Sequence, residues 1–286
     1  MTCTVLIENS VRSPNLVSQH GLSLYIENAG CVLLLDSGQD AAFAENAAAL
    51  GKNLSTVDVA VCSHAHYDHA GGFNTFCALN DSAPIYTYWH PGTVYYSTSH
   101  CTGGEPARFI GFSIVPVYEK RLRVSRTDSP QPVADGCWIV PVVLHPSALP
   151  YKNRLLFIRK NGRLERDTFD HECVLVIKTV QNGRSGLALF NSCSHNGVIN
   201  SIESVKHFFP GQPVFSYSGG FHFPWDSGEA IAAEDCAAMD ALAAYVRSDD
   251  IRLYSGHCTG DAAFAYLEKR CGGLLQRLYT GMTYTV

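Results

Sequence analysis

Apolar residues fall in short runs bounded by turn residues, and over most of the chain those runs predict strands. Residues 5–7, 22–26 and 31–35 are separated by Gly and Asn. Residues 41–50 are Ala-rich and are followed by Gly51, the pattern of a helix ending at glycine. Residues 57–62 are apolar apart from Asp58 and read as a buried strand. A helix is expected over 73–79 and a strand over 85–89. Residues 90–135 break the pattern, with Pro91, Pro106, Pro116, Pro130 and Pro132. They predict long irregular loops, and the run Lys120-Arg121-Leu122-Arg123 within them predicts a solvated face. Alternation then returns. Strands are expected at 138–144, 155–159, 174–179, 187–190, 214–218 and 251–254, and Asn182-Gly183 marks a hairpin turn. Helices are expected at 198–208, about 229–247 and 262–270.

This order reads as an α/β chain with a hint of two similar halves, about 1–89 and 136–286, and the length allows one large domain or two ordinary ones. Length and composition agree. The chain has 286 residues, 46% hydrophobic and 16% charged, enough for a large core and too apolar for disorder. A net charge of −5 gives no basic footprint, so no nucleic-acid partner is expected. No apolar run approaches the roughly 18–20 residues of a membrane span, and no signal peptide is visible at the start, so a cytoplasmic protein is expected. Eleven cysteines without a C-x-x-C pair read as reduced, buried thiols. Oligomeric state is not readable.

The twelve histidines change the picture. His64-x-His66-x-Asp68-His69 places four potential metal ligands in six residues, directly after a buried strand. Imidazole and carboxylate suit zinc, and also iron or manganese. His64 and His66 alternate in an extended segment while Asp68 and His69 turn elsewhere, which suits two ions better than one. His195, His222 and His257 each follow a predicted strand and are expected to complete the site, His222 as either ligand or substrate contact. Cys193 and Cys258 lie next to these candidates. The tripeptide Cys62-Ser63-His64 recurs as Cys193-Ser194-His195, a hint of similar halves. His20, His100 and His207 read as structural or exposed.

The run Ser63-His64-Ala65-His66-Tyr67-Asp68-His69-Ala70-Gly71-Gly72 resembles the signature of the metallo-β-lactamase superfamily, and Leu35-Asp36-Ser37-Gly38 resembles its first motif. Gly21-Leu22-Ser23-Leu24, Cys193-Ser194-His195-Asn196-Gly197, Gly219-Gly220-Phe221-His222 and His257-Cys258-Thr259-Gly260 are similar to the branch named for 7,8-dihydropterin-6-yl-methyl-4-(β-D-ribofuranosyl)aminobenzene 5′-phosphate synthase. The resemblance runs from about Gly21 to Gly260. It implies an αββα sandwich of two mixed β-sheets flanked by helices. It implies two divalent metal ions, zinc by first expectation with manganese or iron as alternatives. One site would use His64, His66 and His195, the other Asp68, His69 and His257. Many superfamily members bridge the metals with an aspartate at the fourth motif, and this sequence has none there. Phe169-Asp170-His171-Glu172 also departs from the paired acids expected, and His171 and Glu172 read equally as cleft residues or as a structural pair.

The chemistry expected is hydrolysis or transfer on a small phosphate- or diphosphate-containing substrate, pterin- or nucleotide-like, by a metal-bound hydroxide or metal-assisted leaving group. A di-iron redox enzyme and a non-catalytic binding protein are the alternatives. Asp68 is expected as ligand and proton acceptor, and Asp36 as an orienting group behind the ligand histidines. Gly219 and Gly220 could offer N–H groups to a phosphate. His90 and His145 are candidate substrate contacts. Tyr86, Tyr88, Trp89, Tyr95 and Tyr96 could stack a flat ring or belong to the core.

Overall fold

A computed structural model describes residues 1–89, 92–99, 107–125, 127–223 and 230–286. Two seven-stranded mixed sheets face each other. The first runs in the order Thr283–Thr285, Thr2–Ile7, Ser23–Asn28, Cys31–Leu35, Val59–Val61, Ile85–Thr87, Leu122–Val124. The second runs Leu275–Arg277, Arg252–Ser255, Val214–Ser218, Arg184–Phe190, Cys173–Gln181, Cys137–Pro141, Gln131–Ala134. Strand periodicity assigns alternate residues to opposite layers. Leu33, Leu35, Leu175, Ile177, Ala188 and Phe190 meet between the sheets. Leu34 turns outward beneath the helices Ala42–Ala49 and Phe73–Leu79. Val174, Val176, Leu187 and Leu189 turn beneath Val198–Phe208 and Ala233–Asp249. Burial on both faces is why these strands read as continuous apolar runs. The result is the αββα sandwich expected from the resemblance.

The described residues of 90–135 form more regular structure than the prolines of that stretch suggest. They add an edge strand to each large sheet, and Tyr95–Ser97 and Arg108–Phe109 join Leu156–Lys160 and Arg163–Arg166 in a small third sheet. The basic run is not wholly a solvated face. Lys120 and Arg123 are exposed, but Arg121 is buried and caps the Phe73–Leu79 helix. Its guanidinium donates to the carbonyls of Ala83 (2.9 Å) and Asn80 and to Asn80 Oδ1 (3.0 Å). It also reaches the Cys77 carbonyl (3.4 Å) in the last helical turn, one of the acceptors left unpaired at a helix end. The last long helix runs Ala233–Asp249, and Asp250 in the left-handed region closes it where the sequence offers no glycine. The ten described cysteines are all free, and eight of them are buried.

Candidate metal centre

The candidate ligands sit on loops at one edge of the sandwich, each just beyond a strand end. Val59–Val61 leads to His64–His69, Arg184–Phe190 to His195, Val214–Ser218 to His222 and Arg252–Ser255 to His257. The backbone there is bent sharply. Asp36, Ser194, His222 and His257 all have φ between +43° and +56°. Such residues cost on the order of 1–3 kcal/mol each and persist where surroundings enforce them. Buried carboxylates brace the backbone at or beside three of these four. Asp36 Oδ1 accepts the Ser63 N–H (2.7 Å), Glu172 Oε1 the His195 N–H (2.7 Å) and Glu8 Oε1 the His257 N–H (2.5 Å). Glycine permits the close approaches. A Cβ on Gly72 would lie 2.3 Å from the Ser37 carbonyl oxygen, and one on Gly21, at φ +142°, 2.2 Å from that of Asp68.

The rings fall into two groups. The inward donors of His64, His66 and His195 lie within 4.8 Å of one another, and their Nε2 atoms are buried without a hydrogen-bond partner. The outer nitrogens are anchored. Ser63 Oγ donates to Asp36 Oδ2 (2.6 Å), so it accepts from His64 Nδ1 (2.9 Å). His195 Nδ1 donates to Asn153 Oδ1 (3.2 Å). Each inward Nε2 of these two rings therefore carries a lone pair, the state a metal requires. Burial and neighbouring imidazoles hold His64 and His195 well below the ordinary histidine range and His66 at about 3, so all three are neutral.

The second group centres on Asp68 Oδ2, which lies 3.2 Å from His20 Nε2, 3.4 Å from His69 Nε2 and 3.5 Å from His257 Nε2. His69 Nδ1 donates to Asp36 Oδ2 (3.0 Å), and His257 Nδ1 to Asn9 Oδ1 (3.0 Å). His69 Nε2 and His257 Nε2 are 3.0 Å apart and face the same point. Burial opposes a proton on His69, but Asp68 and Asp36 outweigh it and push His69 up to about 10, and an ion at this point would displace that proton. Burial and the charged His69 hold His257 neutral. The donor set, five buried imidazoles and a carboxylate converging on two points, fits two divalent ions.

His66, Asp68, His195 and His257 line a cleft of about 360 Å³ with His20, His222, Cys193, Cys258, Ser97 and Arg108, while His64 and His69 are fully buried. His20, expected to be structural or exposed, is at the cleft beside Asp68, half exposed and carried there by the turn at Gly21. His222 stands 4.2 Å from His195 between ring centroids, with its Nδ1 unpartnered. His145 lines a different cavity, beside Tyr88 and Asp170. His90 and His100 lie outside the described residues. The N–H groups of Gly219 and Gly220 are not offered to a ligand, because they donate to the carbonyls of Tyr254 (2.9 Å) and Ser192 (2.8 Å). Tyr88, Trp89 and Tyr95 are buried in the core. His171 accepts the Ala65 N–H through Nδ1 (3.1 Å) and donates to Asp167 through Nε2 (3.1 Å), fixing the backbone between His64 and His66. Asn9, Asn153, Glu8 and Arg108 carry no sequence signal, since their partners are set by the fold.

Fold and site together define a metallo-β-lactamase sandwich with a candidate dinuclear centre, which supports a metal-dependent enzyme. The model of the metallo-β-lactamase superfamily matches residues 19–96. The particular relatives follow. The chain is 26% identical over 290 residues to 7,8-dihydropterin-6-methyl-4-(β-D-ribofuranosyl)-aminobenzene-5′-phosphate synthase of Methanocaldococcus jannaschii, covering 92% of this chain and 89% of that protein. A solved metal-dependent hydrolase of the beta-lactamase superfamily superposes with TM-score 0.79 at 22% identity, over 100% of this chain and 99% of the other. A diphosphatase of the PhnP family superposes with TM-score 0.51 at 14% identity, over 100% and 97%. At these identities the structural matches show the fold alone. Among the described residues no helix is long and apolar enough to cross a membrane.

Proposed function

We propose that the protein is a dimetal hydrolase or transferase acting on a small phosphate- or diphosphate-containing substrate, pterin- or nucleotide-like. One observation carries the reading. The Nε2 lone pairs of His64 and His195 are buried without a partner while a side-chain oxygen fixes each outer N–H, and His69 and His257 converge on Asp68 beside them. His64, His66 and His195 would hold one ion, and Asp68, His69 and His257 the second. Two divalent ions, zinc or alternatively manganese or iron, would lower the pKa of a water and neutralise charge developing on substrate oxygens.

The chain's own groups supply the rest. Asp36 orients His69 directly and His64 through Ser63. Asp68 Oδ2 accepts a proton at the cleft, and His20 Nε2, 3.2 Å away and partly solvated, passes it outward. His222 contacts substrate beside His195. Among the described lining residues Arg108 is the one Lys or Arg, and it holds the substrate's anionic end at the mouth. The archaeal synthase is named for a ribofuranosyl phosphate compound and the PhnP-family protein for diphosphatase activity, which supports a phosphate-bearing substrate.

The test is turnover of phosphomonoesters, phosphodiesters, nucleoside diphosphates and pterin diphosphates by protein loaded with zinc, manganese or iron. Chelator-sensitive release of phosphate or diphosphate is expected, with loss of both metal and turnover in His66→Ala. A fully loaded protein inert to the whole panel, or an iron centre that cycles its redox state, would sink the reading.

A further inference from the structure

The two triads account for six donors, and the thiol of Cys193 lies between them. Cys193 is 3% exposed and lines the cleft. Its Sγ is 3.1 Å from His69 Nε2. Its sulfur also lies within 4.8 Å of donors from both groups, with His64 and His69, with His195 and His222, and with His257 and Cys258. Its neighbour plays a different part, since the Cys258 thiol donates to the Cys193 carbonyl at 3.7 Å. The fourth-motif segment Gly219-Gly220-Phe221-His222 brings no carboxylate to this point.

We propose that Cys193 is a metal ligand, its thiolate shared between the two ions where a carboxylate is absent. The distances suit this. Two donors on one tetrahedral zinc, one nitrogen and one sulfur, stand roughly 3.5 Å apart. The Cys193–His69 separation is already close to that without rearrangement. A shared sulfur must reach donors on both sides, and Cys193 Sγ does. Binding replaces the S–H proton, which leaves to solvent, with the metal–sulfur bond, and no oxidation occurs. A soft bridging ligand would favour zinc over manganese in this centre.

The inference rests on the dimetal reading, and its test separates the two. Purified protein is stripped, reloaded with cobalt(II) or cadmium(II), and titrated in the near ultraviolet, where thiolate-to-metal charge transfer absorbs. The wild type should show this band growing to two equivalents of metal. Cys193→Ser should lose it, while Cys258→Ser keeps it. In the wild-type chain, bound zinc should protect Cys193 from iodoacetamide at least tenfold, read by peptide mass, which needs no variant to fold. Two bound ions with no charge-transfer band, or a band that survives in Cys193→Ser, would overturn the thiolate ligand and leave the dimetal reading standing. Failure of the wild type to bind any metal would overturn both.

Discussion

Left-handed backbone at a residue bearing a side chain is uncommon, yet Asp36, Ser194, His222 and His257 all adopt it around one cleft. Each sits where a strand ends and the chain turns to aim a polar group inward. Arg108 differs from them, being exposed on a two-residue strand at the cleft mouth. A charge there acts on binding before it acts on bond breaking. Arg108→Ala is therefore expected to raise KM for phosphate substrates about tenfold, equivalent to roughly 1.4 kcal/mol, with kcat within about twofold. Its effect should shrink as ionic strength rises, because an exposed charge is screened. Steady-state kinetics at low and high salt check this, and a matching fall in kcat would place Arg108 elsewhere. Asp36→Asn belongs to the same scale. It keeps size but cannot accept as an anion from Ser63 and His69 together. Metal affinity should fall about 10–100-fold, measured by competition with a chromophoric chelator.

Between elements, buried ion and dipole pairs hold the ligand loops in register. Asp167 and His171 brace the Ala65 backbone from the turn before Cys173–Gln181. Burial works to raise the Asp167 carboxyl, but His171 and the Phe169 N–H outweigh it and hold it below the usual range. Its stabilisation is thus full above about pH 4 and is lost as pH falls through the lower folded value. Asp167→Asn should cost about 1–3 kcal/mol at pH 7. The deficit should narrow below pH 4, as read from urea unfolding of both proteins across pH 3–7. A constant deficit would show that ionisation is not involved. These braces explain what was legible in the sequence and what was not. The strands, the helix Phe73–Leu79 and the cluster from His64 to His69 are local patterns, and local spacing reveals them. The place of His20 at the cleft is not legible locally, because its partner Asp68 is 48 positions away and is met only through the turn at Gly21. Arg121 was misread because a basic run looks solvated until the helix end it caps is folded against it. Asn9 and Glu8 reach His257 across nearly the whole chain, which no window along the sequence spans.

At the scale of the molecule, the sandwich sets ligands from its two halves against each other. His64, His66, Asp68 and His69 follow a strand of the first sheet, while His195 and His257 follow strands of the second. Without a metal, unpartnered Nε2 atoms of His64, His66 and His195 are buried together at this seam, an arrangement that opposes folding. An ion satisfies them and ties the halves, and it binds only the assembled state. Metal held at about a hundred times its dissociation constant adds about 2.7 kcal/mol, which for a chain of this size raises the melting temperature by roughly 5–10 °C. Chelated protein is thus expected to melt that much lower and to recover on reloading. His195→Ala and His257→Ala are each expected to lose most of the metal-dependent shift, because each removes the second half's assigned histidine from one ion. Calorimetry with metal content measured in the same samples checks this. Equal melting temperatures with and without bound metal would mean that the two halves are locked by the apolar core between the sheets alone, with the centre adding nothing to their union.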